Sequence, residues 1–149
     1  MDKKRLSKVL AKADRQTVAA ISSDILKSYR PVIIKEPGKT LAMIKMREPV
    51  KNSLFYIGEV IVCEAVVEID GTKGVAVLMG DDTEKNLNMA IIDAAFNKGI
   101  FTGTDTLLSL EKEQKDRLMR ENAMHLKTMV NFESMDQEAP DDLAANQKA

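Results

Sequence analysis

Histidine and cysteine are almost missing: the 149 residues include one of each, His125 and Cys63. A zinc site usually takes three or four His, Cys or carboxylate ligands, so no metal centre is expected. One thiol cannot close an intrachain disulfide. Cys63 with His125 would be the sole histidine-dependent nucleophilic pair, and the patterning puts the first on the apolar parity of a strand and the second on a long helix. An inert buried thiol and a surface histidine describe them better. Phosphate loops of the G-x-x-x-x-G-K-[ST] kind and dinucleotide fingerprints are both lacking. No apolar run approaches the roughly 20 residues of a membrane span, and no signal peptide is legible. A formal charge of -1 supplies no global pull toward nucleic acid or an anionic membrane. The expectation is a cytoplasmic chain with neither as partner, and with no catalytic residues of its own.

What is present is an ordinary globular composition, 44% hydrophobic and 30% charged, and a length suited to one domain. From Phe55 every second residue through Ile69 is apolar except Glu59, while Glu64, Glu68 and Asp70 fall on the other parity. That period of two predicts a long half-buried strand. Asp70-Gly71 follows as a hairpin turn, and Val75 to Met79 return, apolar on both parities, which suggests a central strand. Val32 to Ile34 and Leu41 to Met46 read as two further strands around a Glu36-Pro37-Gly38-Lys39 reverse turn. Residues 47–53, with Pro49, read as a loop.

Helical spacing appears on either side. Leu6, Val9, Leu10 and Ala13 mark a first helix, and Asp14 caps a second bearing Val18, Ile21 and Ile25. After Gly80, Asp81 and Asp82 can cap a nearly all-apolar helix over residues 83–98, ended by Gly99. A long charged helix over about 106–130 has a narrow stripe including Leu107, Leu110, Leu118, Leu126 and Met129, which suits a partner better than a core. The fold class is α+β: an N-terminal helical hairpin, an antiparallel sheet of about four strands, a buried helix, a long C-terminal helix and an acidic tail. Residues 1–132 form a single domain, and 133–149 are expected to be disordered. The basic N-terminus and acidic C-terminus are adequately explained by a solvated helix face and that tail.

Three positions stand out for function. Glu59 is an acid on an apolar parity; a bulge at Gly58 would turn it outward, and an acid at an interface or cleft is the alternative. Gly80 before a helix start could cradle phosphate, but Asp81 and Asp82 beside it favour capping. Asp93 interrupts an apolar helix, so it is either hydrogen-bonded in place or exposed at an interface.

The series Leu54-Phe55-Tyr56-Ile57-Gly58-Glu59-Val60, Asp70-Gly71, Lys73-Gly74, Met79-Gly80-Asp81-Asp82 and Ala90-Ile91-Ile92-Asp93-Ala94 resembles the PhnG family of the carbon-phosphorus lyase system. Lys8-Val9-Leu10-Ala11 and Val130-Asn131-Phe132-Glu133-Ser134-Met135 are similar to the family's opening and closing segments. Two departures stand against it: Glu48 to Ser53 replaces a glycine-rich segment, and Asp81 replaces the Arg of a Gly-Arg-Asp turn. The resemblance implies a subunit inactive alone, with site-supporting or interface residues at Phe55, Gly58, Glu59, Gly80, Asp82 and Asp93. It implies PhnI as the direct partner, with PhnH, PhnJ and PhnL. The implied reaction makes α-D-ribose 1-methylphosphonate 5-triphosphate from MgATP and methylphosphonate with release of adenine. An iron-sulfur cluster is implied in a different subunit, PhnJ, and no cofactor in this chain. A dimerisation or regulatory module outside phosphonate metabolism is the competing reading; a free-standing small hydrolase is disfavoured by the missing nucleophile and base.

Overall fold

Two short amphipathic helices open the chain in the computed structural model, which describes residues 1–130. Helix α1 (Lys3–Lys12) buries Leu6, Val9 and Leu10, the stripe its spacing predicts. Helix α2 (Arg15–Leu26) begins where Asp14 accepts the Thr17 backbone N–H at 3.0 Å, filling one of the donors a helix start leaves free. The expected acidic tail at 133–149 lies outside the described residues.

The α+β class stands, and among the described residues the sheet has three strands where about four were expected. They are β1 (Val32–Arg47), β2 (Leu54–Ile69) and β3 (Thr72–Met79), antiparallel in the order β1-β2-β3. The expected reverse turn at Glu36-Pro37-Gly38-Lys39 is instead part of β1, where two register shifts against β2 fall between Ile33 and Gly38. A bulge in an edge strand can hold a proline, because its missing N–H interrupts no ladder. Proline followed by glycine therefore kinks one strand here and does not separate two. Residues 48–53 connect β1 to β2, as expected. The second hairpin turns at Asp70 and Gly71, both with positive φ, the geometry that joins right-twisted strands through two residues.

Strand β3 is also not central. It lies at one edge of the sheet, with Val75, Val77 and Met79 exposed on the outer face. On the inner face Cys63, Ala65, Val67 and Ile69 of β2, with Ala76 and Leu78 of β3, are buried. Helix α3 (Thr83–Lys98) covers this face with Met89, Ala90, Ile92, Ala94 and Ala95. It starts at Asp82, which accepts the Lys85 N–H at 3.0 Å, and ends at the left-handed Gly99.

Gly74 sets how close helix and sheet come. A Cβ built there would lie 2.3 Å from Ala90 O and 2.3 Å from Ala94 N, both backbone atoms that cannot swing aside. Small residues on both sides let β3 and α3 meet almost backbone to backbone, and close packing at that distance leaves no room for one more carbon.

Helix α4 spans Thr104–Lys127. The chain divides into two compact units, Met1–Arg117 and Leu118 onward. In the first unit α4 is tied to α1: Leu107 is buried, Arg5 pairs with Glu111, and Gln114 Nε2 donates to Val9 O at 2.9 Å. Its opening stripe thus belongs to the chain's own core, contrary to expectation. In the second unit Leu118 and Leu126 are exposed, as the narrow seam suggested.

Gly74→Ala should destabilise the protein by about 2–3 kcal/mol through overpacking. Gly58→Ala, where the added carbon meets nothing within 4 Å, should change stability by less than about 0.5 kcal/mol. Urea unfolding of the two variants checks this, and equal midpoints would refute the seam.

Candidate functional site

Within the first unit, the helices cover the hairpin end of the sheet. From Leu41 and Ile61 outward to the turn at 48–53, β1 and β2 continue as a two-stranded ribbon that no other described residue of that unit covers. Leu41 is 61% exposed, Met43 60%, Phe55 43% and Tyr56 57%. A lone two-stranded ribbon is marginally stable in water, and a run of exposed large apolar side chains on one element marks an interaction surface.

Register decides which side chains share a face. Directly paired residues of antiparallel strands project to the same side, so Leu41 with Ile61 and Met43 with Glu59 continue the inner face outward. Between Ile44↔Gly58 and Lys45↔Tyr56 the register shifts, because β2 carries one extra residue. The bulge anticipated at Gly58 exists, but it does not turn Glu59 outward. Glu59 keeps the parity of Cys63 and is exposed, on the part of the inner face that α3 does not cover. Phe55 is the residue that changes face: it pairs with Met46, opposite to the side of Tyr56 with Lys45. The alternating pattern from Phe55 to Ile69 thus covers two faces, and one aromatic ring stands on each side of the ribbon.

The ribbon's end is a built turn. Glu48 accepts the backbone N–H groups of Val50 at 3.2 Å and Lys51 at 2.9 Å, and Arg47 Nη1 donates to Asn52 O at 2.9 Å. Lys45 lies over the Tyr56 ring, 5.8 Å from its centroid. Phe55, Gly58 and Glu59 therefore belong to one exposed arm. Gly80, Asp82 and Asp93 belong elsewhere, at the start and along the inner side of α3.

Asp82 is held inside the fold. Arg15 grips its carboxylate through two nitrogens, at 2.8 and 3.1 Å, while Asp82 also caps α3. That guanidinium hydrogen bond, ahead of the Lys85 amide, keeps the carboxyl below its ordinary pKa. Lys85, next along the helix, donates its ammonium to Ala11 O and Ala13 O at the end of α1, and burial lowers its pKa. Gly80 follows β3 and donates its N–H to Ile61 O at 3.0 Å. Asp81 pairs with Lys39 across 3.2 Å.

Asp93 resolves as hydrogen-bonded in place. Its Oδ2 accepts the Val75 N–H at 2.9 Å and Asn97 Nδ2 at 3.2 Å, and pairs with Lys3 Nζ at 3.0 Å. Asn97 also donates to Lys73 O at 2.8 Å. The helix thus satisfies both a donor and an acceptor on the outer edge of β3. Asn97 was not singled out from the sequence; its i, i+4 spacing from Asp93 was the available signal.

A cleft of about 310 Å³ lies between the end of α2 and the connection before α4, against Tyr29 and Phe101. Its one charged lining group, Asp24, pairs with Lys27, so it offers shape without acid-base chemistry. Cys63 is buried and His125 exposed. Among the described residues no three His, Cys, Asp or Glu side chains stand close enough to hold a metal ion.

Asp93→Ala should cost about 2–3 kcal/mol, since it strands the Val75 N–H and Lys3, whereas Glu59→Ala should change stability by less than about 0.5 kcal/mol. Thermal unfolding separates them. Because Asp82 has a folded pKa below its unfolded one, its contribution is complete above the ordinary carboxylate range and fades as pH falls through the folded value. Arg15→Gln should therefore lower the urea midpoint at pH 7, and the gap to the parent should narrow by pH 3. A gap of equal size at both pH values would refute the linkage.

Comparison with known proteins agrees with the family that the motifs resemble. A search of curated proteins finds no match. The family described as "Phosphonate metabolism protein PhnG" matches residues 1–137, which include both strands of the arm, the Gly74 seam and all of α3 and α4. The chain belongs to the PhnG family of phosphonate metabolism proteins.

Proposed function

We propose that this chain is a non-catalytic subunit of the cytoplasmic carbon-phosphorus lyase core complex. With PhnH, PhnI and PhnL it supports formation of α-D-ribose 1-methylphosphonate 5-triphosphate from MgATP and methylphosphonate, with release of adenine. The observation that carries the reading is the exposed apolar arm on a chain of the PhnG family. The nucleotide and phosphonate site is housed mainly in PhnI, and the iron-sulfur cluster belongs to PhnJ.

Binding to PhnI uses the β2 entrance at 55–59 and the exposed part of the long helix. Phe55 and Tyr56 face opposite sides, so a partner must enclose the ribbon and not merely lie against it. Full burial of each ring is worth about 2 kcal/mol. The helix α3 and the sheet serve as the platform that holds the arm at a fixed angle to the rest of the first unit.

Tagged chain purified from its host, grown with methylphosphonate as sole phosphorus source, should bring down PhnH, PhnI and PhnJ in stoichiometric amount. Purified alone it should turn over neither MgATP nor methylphosphonate. The Phe55→Asp, Tyr56→Asp variant should keep its unfolding midpoint within about 0.5 kcal/mol and lose the partners. Recovery of this chain alone or only with copies of itself would overturn the subunit reading and favour a dimerisation module.

A further inference from the structure

The two edges of the sheet are not equivalent. The outer edge of β3 is closed by side chains of α3, Asp93 on the Val75 N–H and Asn97 on Lys73 O. The outer edge of β1 has no such caps among the described residues, and β1 pairs with β2 alone. Unpaired edge backbone is a template for another strand, and proteins that avoid pairing blunt such edges with proline, lysine and bulges. The half of β1 nearest the core is blunted in this way, by Pro37, Lys35 and the two register shifts. Residues 39–47 then carry no proline, and the one register shift there, between Ile44 and Lys45, comes from an extra residue of β2, so β1 itself is not bulged.

Charge identifies what would fit. Strand β1 carries Lys35, Lys39, Lys45 and Arg47 against one acid, Glu36. Near the core the first two are neutralised, by Glu64 and Asp81. Toward the tip Lys45 lies on Tyr56 and Arg47 bonds a carbonyl, and neither cation meets a carboxylate among the described residues. A second β1 would offer Lys45 and Arg47 four further cations and one acid, Glu36, and a second β3 has its edge already closed, which disfavours another copy of this chain.

We propose that an extended, acidic segment of a partner protein adds as a fourth strand to the outer edge of β1 over residues 40–47. Its backbone pairs with the open edge, its apolar side chains join Leu41, Met43 and Met46, and its carboxylates meet Lys45 and Arg47. This deepens the subunit reading above, on which the identity of the partner rests; the chemistry of the edge stands on the geometry of β1 itself.

The test is amide hydrogen exchange on the native assembly purified from its host, against the isolated chain, with mass-spectrometric identification of what is bound. Amides of residues 40–47 should exchange about a hundredfold more slowly in the assembly. Lys45→Glu, Arg47→Glu should weaken assembly about tenfold, while a charge-matched Lys4→Glu, Lys12→Glu control on α1 should change it less than about twofold. Protection of β1 by a protein other than PhnI would sustain this proposal and sink the PhnI assignment. PhnI bound with the β1 edge still exchanging freely would do the reverse. Protection from a second copy of this chain, protection lost on nuclease treatment, or indifference to the double charge reversal would each overturn it.

Discussion

Close contact between β3 and α3 is the constraint on which the remaining architecture depends. Gly74 lets the helix backbone approach to where a single added carbon would collide with Ala90 and Ala94. At that separation the Asp93 and Asn97 side chains reach the strand edge and bond groups that would otherwise face water. Packing and hydrogen bonding reinforce each other here, because either at a greater distance would fail. The same contact draws α3 to the β3 side of the sheet, and so leaves β1 and the outer half of β2 bare.

Polar groups elsewhere serve the same end. Asp14 and Asp82 cap consecutive helices of the core, and Arg15 bridges from the first residue of α2 to the second cap. Lys85 closes the end of α1 by donating to two carbonyls. Most of the conspicuous acids therefore hold helix ends in place. The exposed arm is apolar and aromatic with a cationic margin, a composition suited to burial against another protein.

Much of the fold was legible from local chemistry. The stripe of Leu6, Val9 and Leu10, the cap at Asp14, the turn at Asp70-Gly71 and the stop at Gly99 are all decided within a few residues of chain, where spacing and φ preference act directly. Errors came where a local signal has two tertiary meanings. Pro37-Gly38 makes a turn between strands or a bulge within one, and only pairing with β2 chooses. An apolar run such as Val75 to Met79 fits a central strand or an edge sealed by a helix. Glu59 and Phe55 share a parity in sequence and lie on opposite faces, because one extra residue in β2 reverses the alternation.

The sequence by itself determined the family, the class of fold, the helix ends and the thin catalytic inventory, since each follows from residue identity and short-range spacing. Only the tertiary structure decided which sheet edge is open among the described residues, which acids are bound within the chain, and that Phe55, Gly58 and Glu59 stand on an arm that α3 does not cover. Those outcomes depend on where α3 lands on the sheet, a long-range consequence of the space left above Gly74 that no window of neighbouring residues contains.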